Sequence, residues 1–162
     1  MAMAMMGWML AIPVLGIMTG LRTFTPITVA CWFAYLGYLP VEGTWAGWTG
    51  KLASVVIFTL LAVGELVADK LPKTPNRTDP GPLAARMIFG GLVGAVAATG
   101  VLGSAFEGIL LGAMGALLGA FGGYLLRKYL VHWSGCPDWN LAVIEDVCAV
   151  VIAIFALGVI TG

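Results

Sequence analysis

The sequence predicts an all-α fold, a polytopic transmembrane bundle of about six helices, from its composition, its low charge and its apolar runs. Hydrophobic residues make up 60% of the 162 residues before glycine is counted, whereas an average soluble protein has ~45–50% apolar residues with glycine included. Only 10% of the residues are charged, and the mean hydropathy is +1.01. This composition excludes a soluble enzyme and a disordered tail. It also excludes a nucleic-acid-binding protein, because the zero net charge supplies no basic patch. We therefore expect one integral membrane domain over 1–162.

Five apolar runs supply the helices. They cover residues 8–39, 52–69, 84–102, 108–126 and 141–161. Each of the last four holds about 20 residues, which as a helix crosses the roughly 30 Å hydrocarbon core of a bilayer. A spanning segment must satisfy its own backbone hydrogen bonds, so each run is predicted to be helical.

The first run is too long for one spanning helix and is interrupted at 20–26. Pro26 lacks a backbone donor and disfavours helix at Thr25. Two short helices, 8–20 and 25–39, are therefore predicted, forming either a hairpin or one kinked spanning helix. The hairpin gives three helices plus three in opposite orientations, the arrangement of an inverted-repeat transporter.

Basic residues are concentrated beside two loops, 70–83 and 127–140. These residues are Lys70, Lys73, Arg77, Arg86, Arg127 and Lys128. The loops on the opposite side, 40–51 and 103–107, contain one basic residue, Lys51. By the positive-inside rule, the two basic loops are predicted to be cytoplasmic.

Charged residues inside the apolar runs are the candidates for function, since they are costly in a membrane. The candidates are Arg22, Glu65, Asp69, Glu145 and Asp146. The i,i+4 spacing of Glu65 and Asp69 puts both on one helix face, and in the hairpin all five share one leaflet. An arginine in hydrocarbon keeps its proton. Arg22 is therefore predicted to be the cationic centre of a cluster of the four acids.

Three interpretations of these charges stay open from the sequence. The groups could extend to the lipid headgroups at helix ends. They could line a cavity for a small polar solute or ion, with Thr23 and Thr25 contributing hydroxyls. The acids could instead hold Mg²⁺ while basic residues bind a lipid phosphate; those basic residues are Lys70, Lys73, Arg77 and Arg86.

Glycines mark the fourth run at steps of three and four residues, which places them along one helix face. They are Gly108, Gly112, Gly115, Gly119, Gly122 and Gly123. Such faces let helix backbones approach closely in lipid. A phosphate-binding glycine loop would need a strand before it and a lysine that is missing here. The glycine faces also allow an accessory membrane subunit that packs against itself or a larger complex.

Several motifs occur in an order that resembles a bacterial membrane protein family, the domain of unknown function 4126. They are Gly20-Leu21-Arg22-Thr23-Phe24-Thr25-Pro26, Glu65-Leu66-Val67-Ala68-Asp69-Lys70-Leu71-Pro72, Arg86, and Glu145-Asp146-Val147. The resemblance implies that these motif residues form one shared site or framework, but it implies no reaction. Thr23 and Thr25 depart from the family pattern, which often has Pro and Leu there.

Given the bacterial family that the chain resembles, the leading functional hypothesis is a small multi-pass protein of the bacterial cytoplasmic (inner) membrane that binds or transports a small polar solute or ion. An accessory subunit is the alternative, and a Mg²⁺-dependent enzyme acting on a phosphorylated lipid is third. No cofactor is indicated and the metal question is open. The expected partners are the lipid bilayer and either a homo-oligomer or a larger membrane complex, with no nucleic acid.

Overall fold

The computed structural model describes residues 2–69, 78–134 and 138–162, and within them the chain forms six α-helices and one short 3₁₀ helix. The α-helices are α1 Ala2–Leu21, α2 Thr25–Tyr35, α3 Leu52–Ala68, α4 Pro80–Gly100, α5 Ala105–Ser134 and α6 Asp138–Thr161; the 3₁₀ helix is Trp45–Gly50. The described residues contain no strand. The predicted all-α bundle is confirmed.

Three stretches are long and apolar enough to cross a membrane: Pro80–Gly100, Ala105–Leu130 and Ala142–Thr161. Gly7–Leu21 and Leu52–Ala68 are shorter apolar helices. These helices are consistent with a membrane protein. By contrast, α2 has 11 residues, or roughly 16 Å at 1.5 Å per residue, about half of the hydrocarbon thickness.

The predicted break in the first apolar run is confirmed, because helix is lost at 22–24. The N-terminal part of α1 and the chain just after α2 both lie near the C-terminal end of α4. Trp8 of α1 packs beside Gly103, and Leu39 packs on Gly100. The break itself lies near the second turn of α4, where Arg86 contacts the end of α1. The helices α1 and α2 therefore run antiparallel, as a hairpin.

The predicted second helix, 25–39, was too long by four residues, since α2 ends at Tyr35. Gly37 has a φ of +80°, and its N–H donates to the carbonyl of Ala34 at 3.2 Å. The N–H of Tyr38 donates to the carbonyl of Phe33 at 2.9 Å. This pair of bonds is the Schellman motif, in which glycine adopts the left-handed conformation that ends the helix. At the other end of the hairpin, α1 begins at Ala2 rather than at residue 8.

Helices α1, α4 and α5 pack with their backbones in contact through glycine. A Cβ on Gly94 would meet the backbone of Gly108, and one on Gly112 would meet the carbonyl of Gly90. On the neighbouring face of α5, Gly119 lies against the backbone of Ile17 in α1. All of these hypothetical contacts would be closer than the 3.0 Å that real Cβ atoms keep. We call these three helices the glycine-packed side.

Helices α2, α3 and α6 form the other side, which is packed more loosely. Helix α3 packs on α2 and on the 3₁₀ helix, whereas α6 packs mainly on α1 and α2. Consecutive helices alternate in direction. Helix α4 therefore runs opposite to α1, α5 opposite to α2, and α6 opposite to α3. The two halves pack differently, however: α4 and α5 meet along their glycines, whereas α1 packs mainly on α5 rather than on α2. An inverted repeat stays a prediction.

Candidate functional site: a charged cluster at the helix break

Arg22 lies at the break and joins two helices that are far apart in sequence. Its Nη1 forms an ion pair with Oδ2 of Asp69 at the end of α3, and its Nη2 pairs with Oδ1 of Asp146 in α6. The Arg22 side chain is 0% exposed, whereas the aspartates are 18% and 14% exposed. The guanidinium is thus enclosed, and a small part of each carboxylate stays open to its surroundings.

Glu65 lies one helical turn before Asp69 and binds backbone rather than Arg22. Its carboxylate accepts hydrogen bonds from the N–H groups of Thr23 at 2.7 Å and Phe24 at 2.9 Å. Phe24 is the N-cap of α2, and no side-chain cap is formed from that position. Unpaired N–H groups at a helix start favour an anion. Glu65 therefore caps α2 from the neighbouring helix.

Arg86 performs the complementary role at the end of α1. Its Nη1 donates to the carbonyl oxygens of Gly20 at 2.6 Å and Leu21 at 2.9 Å. The residue is 5% exposed. The last carbonyls of a helix carry partial negative charge, which favours a cation there. The hairpin break is thus satisfied by an acid from α3 on one side and a guanidinium from α4 on the other.

Arg22 itself lies between two carboxylates. Glu65 faces the positive start of α2, and Arg86 faces the negative end of α1. Arg22 instead contacts the carboxylates of Asp69 and Asp146. Its Nε atom is buried and has no hydrogen-bond acceptor in the described part of the chain. We call Arg22, Asp69 and Asp146 the break cluster, with Glu65 and Arg86 as its flanking caps.

Within the ranges that the structure describes, Arg22 pairs with neither Glu65 nor Glu145, so it contacts two of the four predicted acids. Glu145 pairs with Arg127 of α5, with Nη1 and Oε2 3.8 Å apart. Thr23 and Thr25 are buried at the break. The basic residues Lys70, Lys73 and Arg77 lie outside the described residues. Among the described residues, no three or more His, Cys, Asp or Glu side chains are placed to hold one metal ion.

The predicted glycine face of α5 is divided between two neighbours within the chain. Gly108 and Gly112 lie against α4, while Gly115 and Gly119 lie against α1. A Cβ on Gly122 would meet nothing within 4 Å, and Gly123 is buried. Most of this face is therefore already used inside one molecule.

A lateral groove of about 460 Å³ lies between α3 and α6, with α2 as its floor, and its lining begins about one helical turn from the break cluster. It is lined by Thr25, Thr28, Val29, Trp32, Phe33, Leu36, Tyr38, Thr59, Ala62, Val63, Leu66, Val150 and Ile154. Sequence reasoning missed this groove, because its residues look like ordinary lipid-facing positions. Its one local signal is the pair Thr25 and Thr28, two hydroxyls on one face of a short apolar helix.

Together, the fold and the cluster define a multi-helix protein of membrane type whose hairpin break is closed by buried charges. A family model described as "Domain of unknown function (DUF4126)" matches residues 9–159, and the chain belongs to this family. The family predicted from the motifs is thereby confirmed. Comparison with curated proteins and with solved structures gives no match.

Proposed function

We propose that the chain is a multi-pass membrane protein that binds or transports a small cation or cationic polar solute at Asp69 and Asp146. The observation that carries this proposal is that one buried guanidinium faces two partly exposed carboxylates. A partly exposed carboxylate in an apolar setting favours a nearby cation, because an opposite charge lowers the cost of keeping the carboxylate ionised there.

The exposed atoms favour a cation over an anion as the ligand. Arg22 is 0% exposed, so an anion would have to displace an aspartate to reach the guanidinium. The aspartates, at 18% and 14%, can accept a hydrogen bond from an approaching ammonium without that displacement. Bonds between an ammonium and a carboxylate are charge-assisted and short.

The position of Arg22 also suggests how binding could couple to movement. Arg22 joins α3 to α6, whose facing surfaces are otherwise separated by the groove. A cation bound to the exposed part of Asp69 or Asp146 draws negative charge away from the guanidinium, so the bound state weakens the link between the two helices. A ligand that interacts differently with two arrangements shifts the balance between them.

Binding is tested by thermal unfolding of the detergent-solubilised protein in chloride salts of matched ionic strength. We expect sodium, potassium or methylammonium to raise the Tm above its value in N-methylglucamine. A ligand at a hundred times its Kd adds about 2.7 kcal/mol. Asp146→Asn should abolish the shift, whereas Glu107→Gln, an exposed acid at the far end of α5, should retain it. Equal Tm values in all salts would overturn the proposal.

Transport is tested with the same variants in proteoliposomes. Uptake of radiolabelled methylammonium under an imposed pH gradient should exceed that of empty vesicles and fall to their level with Asp146→Asn. Binding without uptake would leave a cation-binding protein and remove the transport half of the proposal.

The accessory-subunit alternative has less support, because its argument depended on glycine faces. Gly16, Gly90, Gly94, Gly112 and Gly119 all lie against backbone of the same chain. These glycines leave no smooth face for a partner. The phosphorylated-lipid enzyme also has less support, since Arg86 is directed at the carbonyls of α1.

We further propose that the basic loops 70–83 and 127–140 face the cytoplasm of a bacterial cell. Their excess of lysine and arginine supports this orientation. The residue after α6, Gly162, would then lie outside. A C-terminal alkaline phosphatase fusion should be active and a green fluorescent protein fusion dark; the reverse pattern would invert the topology.

A further inference from the structure

We propose that the groove between α3 and α6 and the break cluster form one binding site for a membrane lipid with a primary-amine headgroup. The hydrocarbon chain occupies the groove, and the protonated amine binds Asp69 and Asp146. This inference rests on the proposed function and names its ligand class: the cationic group reaches the aspartates as the head of an amphiphile rather than as a free solute.

The groove and the cluster are continuous along all three helices that build them. On α3 the groove residue Leu66 precedes Asp69 by three positions, and on α6 Asp146 precedes the groove residue Val150 by four. Residues three and four apart share a helix face. The charged end of the site is therefore the next helical turn of each groove wall, and Arg22 lies beneath it, next to the start of α2.

The groove walls favour a hydrocarbon chain because three of their polar side chains, Thr28, Trp32 and Thr59, are already bonded within the protein. Oγ1 of Thr28 lies 2.7 Å from the carbonyl oxygen of Phe24 and 2.9 Å from that of Phe58, and it donates to one of them. Nε1 of Trp32 donates to Oγ1 of Thr59 at 3.2 Å. The remaining lining is mostly aliphatic and aromatic. A polar ligand would find few hydrogen-bond partners there, whereas a lipid chain has no hydrogen bonds to give up when it enters.

The size and position of the groove also fit a chain that enters from the bilayer. Its volume of about 460 Å³ lies within the ~300–1,000 Å³ range of ligand sites. Helix α2, with 11 residues, covers about half of the membrane thickness. Since the longer helix α6 and α3 stand on either side of this short floor, the opening faces the lipid phase directly.

A second groove on the molecule shows why the headgroup should be an amine. It measures about 540 Å³ and has no charged residue in its lining: Trp45, Met87, Ile88, Gly91, Leu92, Ala95, Ile109 and Ala113. That groove can hold the chain of any lipid. The lining of the groove between α3 and α6 is also uncharged, but one helical turn beyond it lie two partly exposed carboxylates, Asp69 and Asp146, which attract an ammonium and not an anionic phosphoglycerol. The second groove is thus an internal control for headgroup selectivity.

The test is native mass spectrometry of the full chain with added phosphatidylethanolamine or phosphatidylglycerol. We expect tighter phosphatidylethanolamine binding by about tenfold, equivalent to 1.4 kcal/mol. Asp69→Asn should remove this preference. Ala62→Phe, which fills the groove, should remove it as well, whereas Leu60→Phe on the exposed face of α3 should preserve it. Ala62→Leu should give an intermediate loss if the larger variant unfolds.

The outcomes separate this inference from the proposed function. Retained phosphatidylethanolamine preference in Ala62→Phe or Ala62→Leu, with an intact Tm, would overturn the groove as the chain site. Equal binding of the two lipids by the wild type would overturn the amine headgroup. In either case, a methylammonium-dependent Tm shift that is lost in Asp146→Asn would leave the proposed function standing. Absence of that shift in the wild type would overturn the proposed function itself.

Discussion

The two sides of this bundle pack their helices differently. They are the glycine-packed side, made of α1, α4 and α5, and the groove side, made of α2, α3 and α6. On the first, α1, α4 and α5 approach so closely that a single added Cβ would collide with backbone, as at Gly112. On the second, α3 and α6 are separated by a groove and joined at its end by Arg22. The glycine-packed side also has a groove, between α4 and α5, but only the groove around the short helix α2 lies beside buried charges.

Because of this difference, we expect the glycine-packed side to be the rigid part of the chain and the groove side to be the part that binds a ligand. Packed interiors deform little, so the glycine-packed side is suited to hold Gly20 and Arg86 in place at the break. The groove side has fewer interhelical contacts and carries the partly exposed carboxylates. Elements that move or bind ligands are drawn from such regions of lower local stability.

The largest expected effect comes from adding a methyl group to the glycine-packed side. In Gly112→Ala the new Cβ would strike the carbonyl of Gly90, and backbone cannot rotate away. The helices must separate, so we expect the free energy of unfolding to fall by about 3 kcal/mol or more. Tryptophan fluorescence during denaturant unfolding in detergent micelles measures the loss.

The matched control lies on the same helix. A Cβ on Gly122 meets nothing within 4 Å, and alanine is a better helix former than glycine. Gly122→Ala should therefore be neutral or should stabilise by up to ~1 kcal/mol. Equal losses in Gly112→Ala and Gly122→Ala would show that close backbone contact does not distinguish the two positions.

The next effect concerns the link on the groove side. Arg22→Gln leaves Asp69 and Asp146 without their shared cation, and breaking a buried ion pair costs ~3–5 kcal/mol. Since both aspartates are partly exposed, we expect the lower end, about 3 kcal/mol. Lys51→Gln, an exposed cation at the other end of the bundle, should change the unfolding free energy by less than ~1 kcal/mol.

A double variant shows whether the loss is electrostatic. Arg22→Gln with Asp146→Asn also removes one of the two carboxylate charges that Arg22 had contacted, so it should be more stable than Arg22→Gln alone. Adding Glu65→Gln to Arg22→Gln should give no such recovery, because Glu65 binds backbone N–H groups. If neither addition changes the stability of Arg22→Gln, the cluster is not energetically coupled.

The comparison also shows how far sequence reasoning extends. The spanning lengths, and the break that Pro26 helps to impose, could be read from local pattern, because each depends on a few consecutive residues. The partners of Arg22 could not, since Glu65 and Asp69 share one helix face and only helix depth decides which of them reaches the guanidinium. Arg86 resembled an interfacial basic residue until α1 was seen to end against it.

The groove could not be predicted from the sequence for a related reason. It depends on the separation of α3 and α6, which lie far apart in sequence, and on where α2 stops. The stop was readable, since Gly37 after an apolar run is a known helix-ending signal. The separation was not, because no local rule sets the distance between two helices that share only a third helix as a neighbour.

A smaller effect is expected at the cap on α2. Glu65→Gln keeps the side-chain size and one acceptor oxygen but loses the charge that faces Thr23 and Phe24. We expect a loss of about 1.5 kcal/mol, the lower range for a hydrogen bond to a charged group. Glu107→Gln changes an exposed acid in the first turn of α5 and should cost no more than ~1 kcal/mol. A smaller loss for Glu65→Gln than for Glu107→Gln would contradict the capping role.

The smallest effect compares two helix ends, one on each side of the molecule. Leu102 follows α4 with a φ of +57° and occupies the position in its Schellman motif that Gly37 occupies after α2, since Gly103 N–H donates to Ala98 O at 2.8 Å. A side chain in this conformation costs roughly 1–2 kcal/mol, a strain that glycine avoids. We therefore expect Leu102→Gly to raise the free energy of unfolding by about 1 kcal/mol, after the greater freedom of glycine in the unfolded chain is subtracted.

The reciprocal change, Gly37→Leu, should lower the unfolding free energy by a similar amount, because nothing lies within 4 Å of a Cβ there and only the backbone conformation opposes it. Denaturant midpoints of the two variants in the same micelles make the measurement. Leu102 is 94% exposed, so its side chain gains no packing within the chain that could offset the strain. A fall in stability for Leu102→Gly would therefore mean that this leucine is held by lipid or by another molecule at the corner between α4 and α5.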